Sequence, residues 1–321
     1  MWRAPNFGIV LPHFGPYASG RLVRQAADAA DRVGFDSIWA RDHLIFRPHE
    51  VEPDDPDFID GFLTLSHAAA VTSRVELGTA ATIPLRHPLQ LAQIVASLTL
   101  LAGRRFHLGM GAGHRDEEFA AVGRWSDLKS RADVIVPETI EICRAAWTGA
   151  VSAVTGHFQF EEVDLQPKPE IQPAIWYCGT SPKALRIARA YCDGWAPGRV
   201  TFETLKARTT EPLPPGFRLG VIPLTVVDET TKRAMARVPK EKLYSYVDKH
   251  RWIPTPEGGA RRPEHLAGLL LAGPPDGFRS TIERYLQYGV TDVIFDLRLS
   301  FEGLIDAIEA IGAALDGLKD T

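Results

Sequence analysis

The chain has 321 residues, of which 45% are hydrophobic and 24% charged, and its formal net charge at pH 7 is −4. This length and hydrophobic content are enough to bury a sizeable core, either as one large α/β barrel or as two domains. Because no basic run accompanies the weakly acidic charge, the composition implies neither a nucleic acid nor an anionic membrane surface as a partner.

The amino-terminal residues and the cysteines favour a soluble protein in a reducing compartment. Residues 1–5 lead directly into a predicted strand rather than into an apolar signal segment, and polar side chains interrupt the longest apolar stretch, residues 91–101. The three cysteines, Cys143, Cys178 and Cys192, form no CxxC pair, which argues against a structural zinc site. We therefore expect a cytoplasmic protein.

The hydropathy pattern predicts eight strands that alternate with helices along the chain. The predicted strands cover residues 7–11, 36–40, 75–82, 105–110, 174–178, 194–196, 218–227 and 290–297. The clearest unit is the third strand, a helix and the fourth strand, because Pro88 suits the first turn of that helix and Gly103 its end. This alternation predicts a (β/α)8 barrel, or TIM barrel, with insertion segments.

Two stretches depart from simple alternation. Residues 43–60 contain three prolines and several acidic residues, which predicts a long mobile loop of the kind that serves as a lid. A polar, partly helical excursion covers residues 229–263. Since no linker-like change of composition divides the chain, we expect a single domain over residues 1–321, with a variable insertion at about 200–263.

In such a barrel the active site lies where the strands end. The side chains and turns predicted at that end are His13, Asp42, His43, the segment Ala80-Ala81-Thr82, the segment Gly111 to His114, and Gly179-Thr180-Ser181. Three histidines and a carboxylate raise the question of a metal. Barrel hydrolases that bind metals usually carry two histidines that flank one residue, and no such pair occurs here. The sequence therefore predicts no metal site.

The segment Gly179-Thr180-Ser181-Pro182 is the strongest local motif for a ligand. Ser181 can cap the helix that follows, Pro182 suits its first position, and backbone N–H groups with two hydroxyls favour an anion there. A plain helix cap accounts equally well for these residues. Small residues after the third and fourth strands would accommodate a flat ring, so the two features together indicate a flavin-like nucleotide. A nicotinamide-binding fingerprint is disfavoured, because the glycine triplet beginning at Gly109 follows the fourth strand.

Five stretches make the chain resemble the bacterial-luciferase-like family of flavin- and deazaflavin-dependent oxidoreductases. They span nearly the whole sequence in the family's order: GFDSIWARDH (34–43), LGTAATIPLRHPLQLAQ (77–93), GRRFHLGMGAGHRDEEFAAVG (103–123), LQPKPEIQPAIWYCGTSPKALRIARAYCDGW (165–195) and LAGPPDGFRSTIERYLQYGVTDVIF (271–295). The resemblance implies a homodimeric barrel that binds coenzyme F420 or, alternatively, reduced FMN.

The resemblance also implies roles for individual residues. Asp42 and His43 match the carboxylate and imidazole that lie near the ring in the deazaflavin-using branch, and Ala80-Ala81 matches a non-prolyl cis peptide there. The other cofactor-binding positions implied are Thr82, Gly111, Gly113, Gly179, Thr180 and Ser181. His114 stands where the branch's sugar-phosphate dehydrogenases carry a glutamate, so the substrate is expected to differ. An imidazole can still exchange a proton at neutral pH.

Three functions remain open at this point. The first is hydride transfer between the deazaflavin and a small organic substrate, with His43 or His114 as the catalytic residue that handles the proton. The second is a monooxygenase that uses reduced FMN and oxygen. The third is a flavin-binding barrel without turnover, because membership of a family fixes the shape of a site but not its chemistry.

Overall fold

A computed structural model describes residues 5–48, 51–250 and 252–319 of the chain. Residues 1–4, which bear on the expectation about the amino terminus, lie outside the described part. Twelve strands are assigned there: β1 (Asn6–Val10), β2 (Ser37–Ala40), β3 (Glu76–Thr79), β4 (Phe106–Met110), β5 (Val151–Ala153), β6 (Phe160–Val163), β7 (Ala174–Cys178), β8 (Gly194–Ala196), β9 (Arg218–Val221), β10 (Leu224–Val227), β11 (Leu270–Gly273) and β12 (Asp292–Phe295).

Eight of these strands close into a parallel barrel in the order β1-β12-β9-β8-β7-β4-β3-β2. The α-helices are α1 (Gly20–Val33), α2 (Gly61–Ala69), α3 (Pro88–Ala102), α4 (Asp116–Ala121), α5 (Val136–Thr148), α6 (Pro182–Tyr191), α7 (Phe202–Arg208), α8 (Thr231–Arg237), α9 (Lys240–Lys249), α10 (Arg279–Gln287) and α11 (Leu304–Lys319). Helices connect successive barrel strands, so the predicted (β/α)8 barrel is confirmed. None of the helices in the described ranges has the length and apolar character that crossing a membrane requires.

The predicted helix between the third and fourth strands is confirmed almost to the residue. The side chain of His87 caps α3 by accepting a hydrogen bond from the Leu89 N–H, and Pro88 occupies the first turn. The helix ends at Gly103, whose φ of 62° lies in the left-handed region that glycine adopts without steric cost. Local capping chemistry therefore sets both ends of this helix.

Large side chains fill the amino-terminal half of the barrel. The His107 ring stacks on Trp39 with centroids 5.5 Å apart and meets Trp176 edge-on at 5.6 Å, and all three residues are buried. The His107 Nε2 atom lies 2.6 Å from a carboxylate oxygen of Glu76. This half of the barrel is a packed core, as in other TIM barrels. A ligand therefore has to approach from the opposite end, where the strands finish.

The predicted seventh strand, residues 218–227, was wrong as a single element. Its first half is β9 in the barrel, whereas its second half is β10, which leaves the barrel and pairs with β11 in a separate two-stranded parallel sheet. Pro223 lies between the halves and has no N–H to donate to the barrel ladder, so a break at this point is expected. The hydropathy pattern did not register it because both halves are apolar.

The insertion has a small core of its own. Residues of β10, α8 and α9 pack together with Val51 and with the residues just before β11, and the buried members include Leu224, Val226, Leu243 and Val247. The polar excursion predicted for residues 229–263 contains α8 and α9, in line with its partly helical character. Helices α2 and α7 and strand β11 were not predicted.

Residues 43–48 and 51–60, the described parts of the predicted loop, pack against the end of the barrel. Phe46 and Val51 are buried, and the rings of Phe46 and Phe58 stack with centroids 5.0 Å apart. The Gly15 N–H donates to the Asp57 carbonyl at 2.8 Å, which ties the loop to the end of β1. The loop therefore covers the side of the barrel where a ligand would enter, while its mobility stays a prediction.

Candidate functional site

The predicted site residues follow four strands that are consecutive in the barrel, in the order β7, β4, β3, β2. We call the residues that follow these strands the rim. Because the strands are parallel, their carboxyl ends meet at the same edge of the barrel. The rim thus brings together His43 after β2, Ala80-Ala81 after β3, Gly111 to His114 after β4 and Gly179 to Ser181 after β7.

His43 is held by a buried carboxylate. Its Nδ1 atom lies 3.3 Å from both carboxylate oxygens of Glu118, whose side chain is fully buried, while 12% of the His43 side chain remains exposed. The rings of Phe46 and Phe58 flank the imidazole at 6.3 and 5.8 Å. Since Nδ1 faces Glu118, the Nε2 atom lies on the other side of the ring. The arrangement fits an imidazole that exchanges a proton through Nε2.

Glu118 also anchors the backbone that follows His43. Its Oε1 atom accepts hydrogen bonds from the Leu44 N–H at 2.8 Å and the Ile45 N–H at 3.2 Å. Burial alone would raise the pKa of Glu118, but the hydrogen bonds from His43 and from these two N–H groups outweigh it and hold the pKa below its ordinary value. Glu118 is therefore ionised at neutral pH and can offset the charge that the imidazole acquires with a proton.

His114, the second predicted catalytic histidine, is solvent-exposed and lies close enough to His43 to interact with it electrostatically. Its pKa lies below the ordinary value, because partial burial of the ring and the nearby charges of Arg115, His43 and Arg41 disfavour the protonated form. His114 is therefore neutral at pH 7. It is better suited to accepting a proton than to donating one.

Asp42 does not offer a free carboxylate to a ligand. Its side chain is 4% exposed, and its two oxygens lie 2.6 and 3.1 Å from the guanidinium nitrogens of Arg86. Arg86 also contacts Asp60 at 2.8 Å. A bidentate pair of this kind fixes geometry, so Asp42 ties the end of β2 to the segment before α3. Direct contact between Asp42 and a cofactor stays a prediction.

A floor of small residues lies between β3 and β4. The Ala80–Ala81 peptide bond is cis, as the family resemblance implied. Thr82 is fully buried: its N–H donates to the Gly109 carbonyl at 2.6 Å, its carbonyl accepts from the Gly111 N–H at 2.9 Å, and its hydroxyl donates to Thr79 at 3.0 Å. Thr82 therefore supports the floor from below.

The two glycines predicted on the floor cannot be replaced freely. A Cβ atom at Gly111 would lie 3.3 Å from the Ala81 Cβ atom and 3.4 Å from the Cys178 carbonyl oxygen. Gly113 has a φ of 73°, and a Cβ atom there would lie 2.7 Å from the Ile83 side chain. Because glycine has no side chain, it leaves space above the backbone at both positions, and a flat ring can approach closely there.

The turn after β7 uses its hydroxyls within the protein. Ser181 caps α6 by accepting a hydrogen bond from the Ala184 N–H at 3.0 Å, and the buried Thr180 hydroxyl donates to the Pro197 carbonyl at 3.0 Å. Arg208 reaches the Thr180 carbonyl at 3.3 Å. The predicted N-cap is confirmed. A phosphate at this turn would depend on backbone N–H groups and the helix dipole more than on the two hydroxyls.

His13, a further candidate from the sequence, has both ring nitrogens occupied by the backbone. Nδ1 donates to the Ile59 carbonyl at 2.8 Å, and Nε2 accepts from the Arg41 N–H at 2.9 Å. Burial lowers the pKa of His13 to about 3, so the ring is neutral. It joins the loop over residues 43–60 to the ends of β1 and β2 and takes no part in proton transfer.

The residue that sequence reasoning missed is Glu118. It stands with two other acidic residues in the first turn of α4, where carboxylates commonly face solvent and interact with the helix dipole. Its partner His43 lies 75 residues earlier in the chain. The apolar neighbour Phe119, which is also fully buried, is the one local sign that this turn faces inward.

These residues fit a flavin-type ring with an anionic tail. The glycine and alanine floor would be blocked by larger side chains, and the amino end of α6 points backbone N–H groups toward the rim. The donor set does not resemble a metal centre: across residues 5–48, 51–250 and 252–319 no three His, Cys, Asp or Glu side chains come together in a way that could hold an ion. All three cysteines are free thiols.

Comparison with known proteins agrees with this architecture. The model of the luciferase-like monooxygenase family matches residues 6–292. The F420-dependent hydroxymycolic acid dehydrogenase of Mycobacterium tuberculosis is 35% identical over 191 residues, which are 59% of this chain and 51% of that protein. The chain thus aligns with about half the length of this relative.

Two solved structures have the same fold at low sequence identity. An F420-dependent secondary alcohol dehydrogenase in complex with an F420-acetone adduct superposes with a TM-score of 0.76 and 19% identity, over 97% of this chain and 99% of that one. The oxygenating constituent of 3,6-diketocamphane monooxygenase from Pseudomonas putida, in complex with FMN, superposes with a TM-score of 0.76 and 17% identity, over 99% of this chain and 98% of that one. Because the family model matches nearly the whole chain, the chain belongs to the luciferase-like monooxygenase family.

Proposed function

We propose that the protein is an oxidoreductase that transfers a hydride between coenzyme F420 and a small organic substrate. The observation that carries this proposal is the His43–Glu118 pair, which presents a partly exposed, charge-compensated imidazole beside the cis Ala80–Ala81 floor. Hydride transfer to a carbonyl carbon, or from the corresponding alcohol carbon in reverse, needs one proton to move to or from the oxygen, and a positioned imidazole can donate or accept that proton. The names of the M. tuberculosis relative and of the secondary alcohol dehydrogenase support F420 as the coenzyme.

Each part of the rim has a distinct task in this proposal. Bound F420 would supply the hydride-transfer chemistry of the site. The floor at Ala81 and Gly111 would hold the ring, and the amino end of α6 would hold the phosphate. His43 donates the proton to the substrate oxygen, or removes it in the reverse direction, through Nε2. Glu118 keeps the imidazole oriented and offsets its charge.

The second candidate is a monooxygenase that uses reduced FMN and oxygen. The similarity to the FMN-bound P. putida structure favours it, because the same barrel holds FMN there. A barrel without turnover is the third possibility. An ionised carboxylate buried against a rim histidine argues against this third function, since it costs desolvation energy that a passive binding site does not require.

We further propose a cytoplasmic homodimer. Leu63 on α2 and Leu100 and Leu101 near the end of α3 are 68%, 54% and 75% exposed, and α2 packs beside α3. Exposed leucines on neighbouring helices favour an apolar interface with a second copy. Sedimentation of the full chain tests this: a dimer that Leu101→Glu converts to a monomer is expected, and a monomeric parent protein would overturn it.

The test of the coenzyme is an equilibrium titration of the full chain with F420 and with FMN at equal ionic strength. F420 should bind more tightly, and Ala81→Leu should weaken it at least tenfold by raising the floor. Ala236→Leu makes the same change at an exposed position of α8 and should leave binding as in the parent protein. Equal or tighter binding of FMN would favour the monooxygenase.

A further inference from the structure

A buried cluster of four charged side chains lies beside the rim, where β2 and β12 end. Arg41 contacts Glu52 at 2.7 Å, and Arg298 contacts the same Glu52 oxygen. Arg298 also pairs with Asp296 through Nη2 at 2.6 Å and Nε at 2.7 Å. The four side chains are between 1% and 8% exposed. We call Arg41 and Arg298 the arginine pair.

Aromatic rings fix the position of the arginine pair. The Arg41 guanidinium lies 4.7 Å from the Phe14 ring centroid and 4.9 Å from that of Phe46, and the Arg298 guanidinium lies 5.3 Å from Phe14. Stacked guanidinium groups lose little further freedom when they bind a planar or tetrahedral oxyanion, and their fork geometry matches such groups. The pair is therefore preorganised to bind an anionic group.

Glu52, which fills this position, comes from the middle of the loop over residues 43–60. The two ends of that loop have separate attachments: Glu118 binds the Leu44 N–H, and His13 binds the Ile59 carbonyl. The neighbouring acid Asp54 is exposed. A buried ion pair seldom stabilises a fold more than apolar packing would, so anchoring the loop is a weak reason for placing Glu52 here.

The two arginines differ in how fully their charge is compensated. Burial alone would lower the pKa of Arg298, but Asp296 and Glu52 outweigh it and hold that pKa above its ordinary value, so Arg41 is the less compensated of the two. Burial, together with the charges of Arg298 and Arg199, lowers the pKa of Arg41 to about 9, although Glu52 and Asp296 act in the opposite direction. Without Glu52, Asp296 would be the one acid of the cluster still facing these cations. The cluster also adjoins the reaction site, because Arg41 directly precedes Asp42 and His43 and its charge reaches His114.

We propose that the arginine pair is a binding site for an anionic group of the substrate, a carboxylate or a phosphate, and that Glu52 occupies the site until such a group replaces it. A substrate bound this way would carry its reacting carbon toward His43. The assignment of the anion to a substrate rests on the proposed function. The anion site itself does not, since the ion pairs that build it join Arg41, Glu52, Asp296 and Arg298 and include no residue of the floor or of the turn after β7.

The test is calorimetric titration of the cofactor-free full chain with inorganic phosphate and, separately, with acetate. Glu52→Gln removes the internal anion and should tighten binding of one or both at least tenfold relative to the parent protein. Asp54→Asn removes an exposed acid from the same loop and should change affinity less than twofold. The anion with the larger gain identifies the substrate group as a phosphate or a carboxylate.

Two further variants make the result decisive. Arg298→Lys in the Glu52→Gln background should abolish the gain, because lysine lacks the planar fork. Glu52→Asp retains the charge and should fold even if Glu52→Gln does not, and its shorter side chain should give a smaller gain. Folded variants at Glu52 that bind both anions no better than the parent protein would overturn the proposal, as would an equal gain in Asp54→Asn. F420 binding is measured separately, so failure of the anion site and failure of the proposed function remain distinguishable.

Discussion

Two histidine–carboxylate pairs lie at opposite ends of the barrel. His107 meets Glu76 at 2.6 Å near the start of β4, and its ring lies against the indoles of Trp39 and Trp176. His43 meets Glu118 at 3.3 Å after the end of β2, and part of its ring remains exposed. The same two functional groups occur in both pairs, yet their surroundings differ completely.

The position of each pair relative to the strand ends, rather than the pair itself, decides which histidine can be catalytic. At the start of the strands the barrel interior is packed, so no substrate can reach His107. At the rim Glu118 is fully buried and His43 is partly exposed, so the carboxylate can offset a charge on the imidazole from the Nδ1 side while Nε2 lies on the other side of the ring. Removing each histidine should therefore have different consequences.

The largest effect is expected for His43→Ala. Loss of a positioned acid or base should lower the rate of cofactor oxidation or reduction by about 10²–10⁴, while F420 affinity changes little because the floor and the turn after β7 remain. Stopped-flow absorbance of the bound cofactor measures the rate. His114→Ala is the control and should retain most of the activity; an inactive His114→Ala beside a near-normal His43→Ala would transfer the catalytic role to His114.

His107→Ala should act on stability instead. Removing a buried ring from between two indoles and leaving Glu76 without its partner should lower the free energy of unfolding by about 2–5 kcal/mol. Urea denaturation measures this value. The rate per folded molecule should stay within a few-fold of that of the parent protein. A selective loss of turnover in a stable His107→Ala protein would contradict a purely structural role for His107.

Glu118→Gln should have an intermediate effect. The amide oxygen can still accept a hydrogen bond from the Leu44 N–H, but the negative charge beside the imidazole is lost. The rate should therefore fall by about tenfold, which corresponds to an increase of about 1.4 kcal/mol in the free energy of activation. Stopped-flow absorbance measures the rate, and a folded Glu118→Gln protein that turns over like the parent protein would contradict a role for the carboxylate charge.

Ser181 follows β7, whereas both histidine pairs are formed by residues of other elements, so its replacement shows whether a change elsewhere in the barrel has the same effects. Ser181→Ala removes the N-cap of α6 and should lower the free energy of unfolding by about 0.5–2 kcal/mol. Cofactor affinity should fall only modestly, since the N–H groups of the turn remain. A large loss of affinity without a loss of stability would assign the Ser181 hydroxyl to the phosphate and not to the cap.

The smallest effect is expected in the acid dependence of stability. The pKa of Glu118 is lower in the folded protein than its ordinary value of 4.5, so its contribution to stability is present above that value and is lost as pH falls through the folded pKa. The difference in unfolding free energy between the parent protein and Glu118→Gln should therefore shrink below about pH 4. A difference that grows in this range would contradict the depressed pKa.

Much of the barrel could be predicted because its signals are local. Short apolar strands, the cap at His87 and the stop at Gly103 each depend on residues within a few positions of one another. The break at Pro223 is local as well, but the apolar residues on both sides hid it. Strand β11 could not be predicted, since its pairing with β10 depends on a partner more than forty residues away in the chain.

The site was predictable only in part. Its position at the strand ends follows from the fold, and the cis bond at Ala80–Ala81 follows from the family resemblance. The partners that give each side chain its role come from distant segments: Glu118 for His43, Arg86 for Asp42 and Pro197 for Thr180. No pattern in one segment contains that information, because these contacts exist only after the barrel closes.

The central claim is that the rim supports hydride transfer with a deazaflavin rather than oxygen activation. The most direct measurement is single-turnover oxidation of bound reduced F420 by a panel of small carbonyl compounds, followed by absorbance in anaerobic and in air-saturated buffer. We expect at least one compound to oxidise the cofactor at the same rate in both buffers, and we expect His43→Ala to slow that reaction by about 10²–10⁴. Oxidation that requires oxygen, or that His43→Ala leaves unchanged, would contradict it.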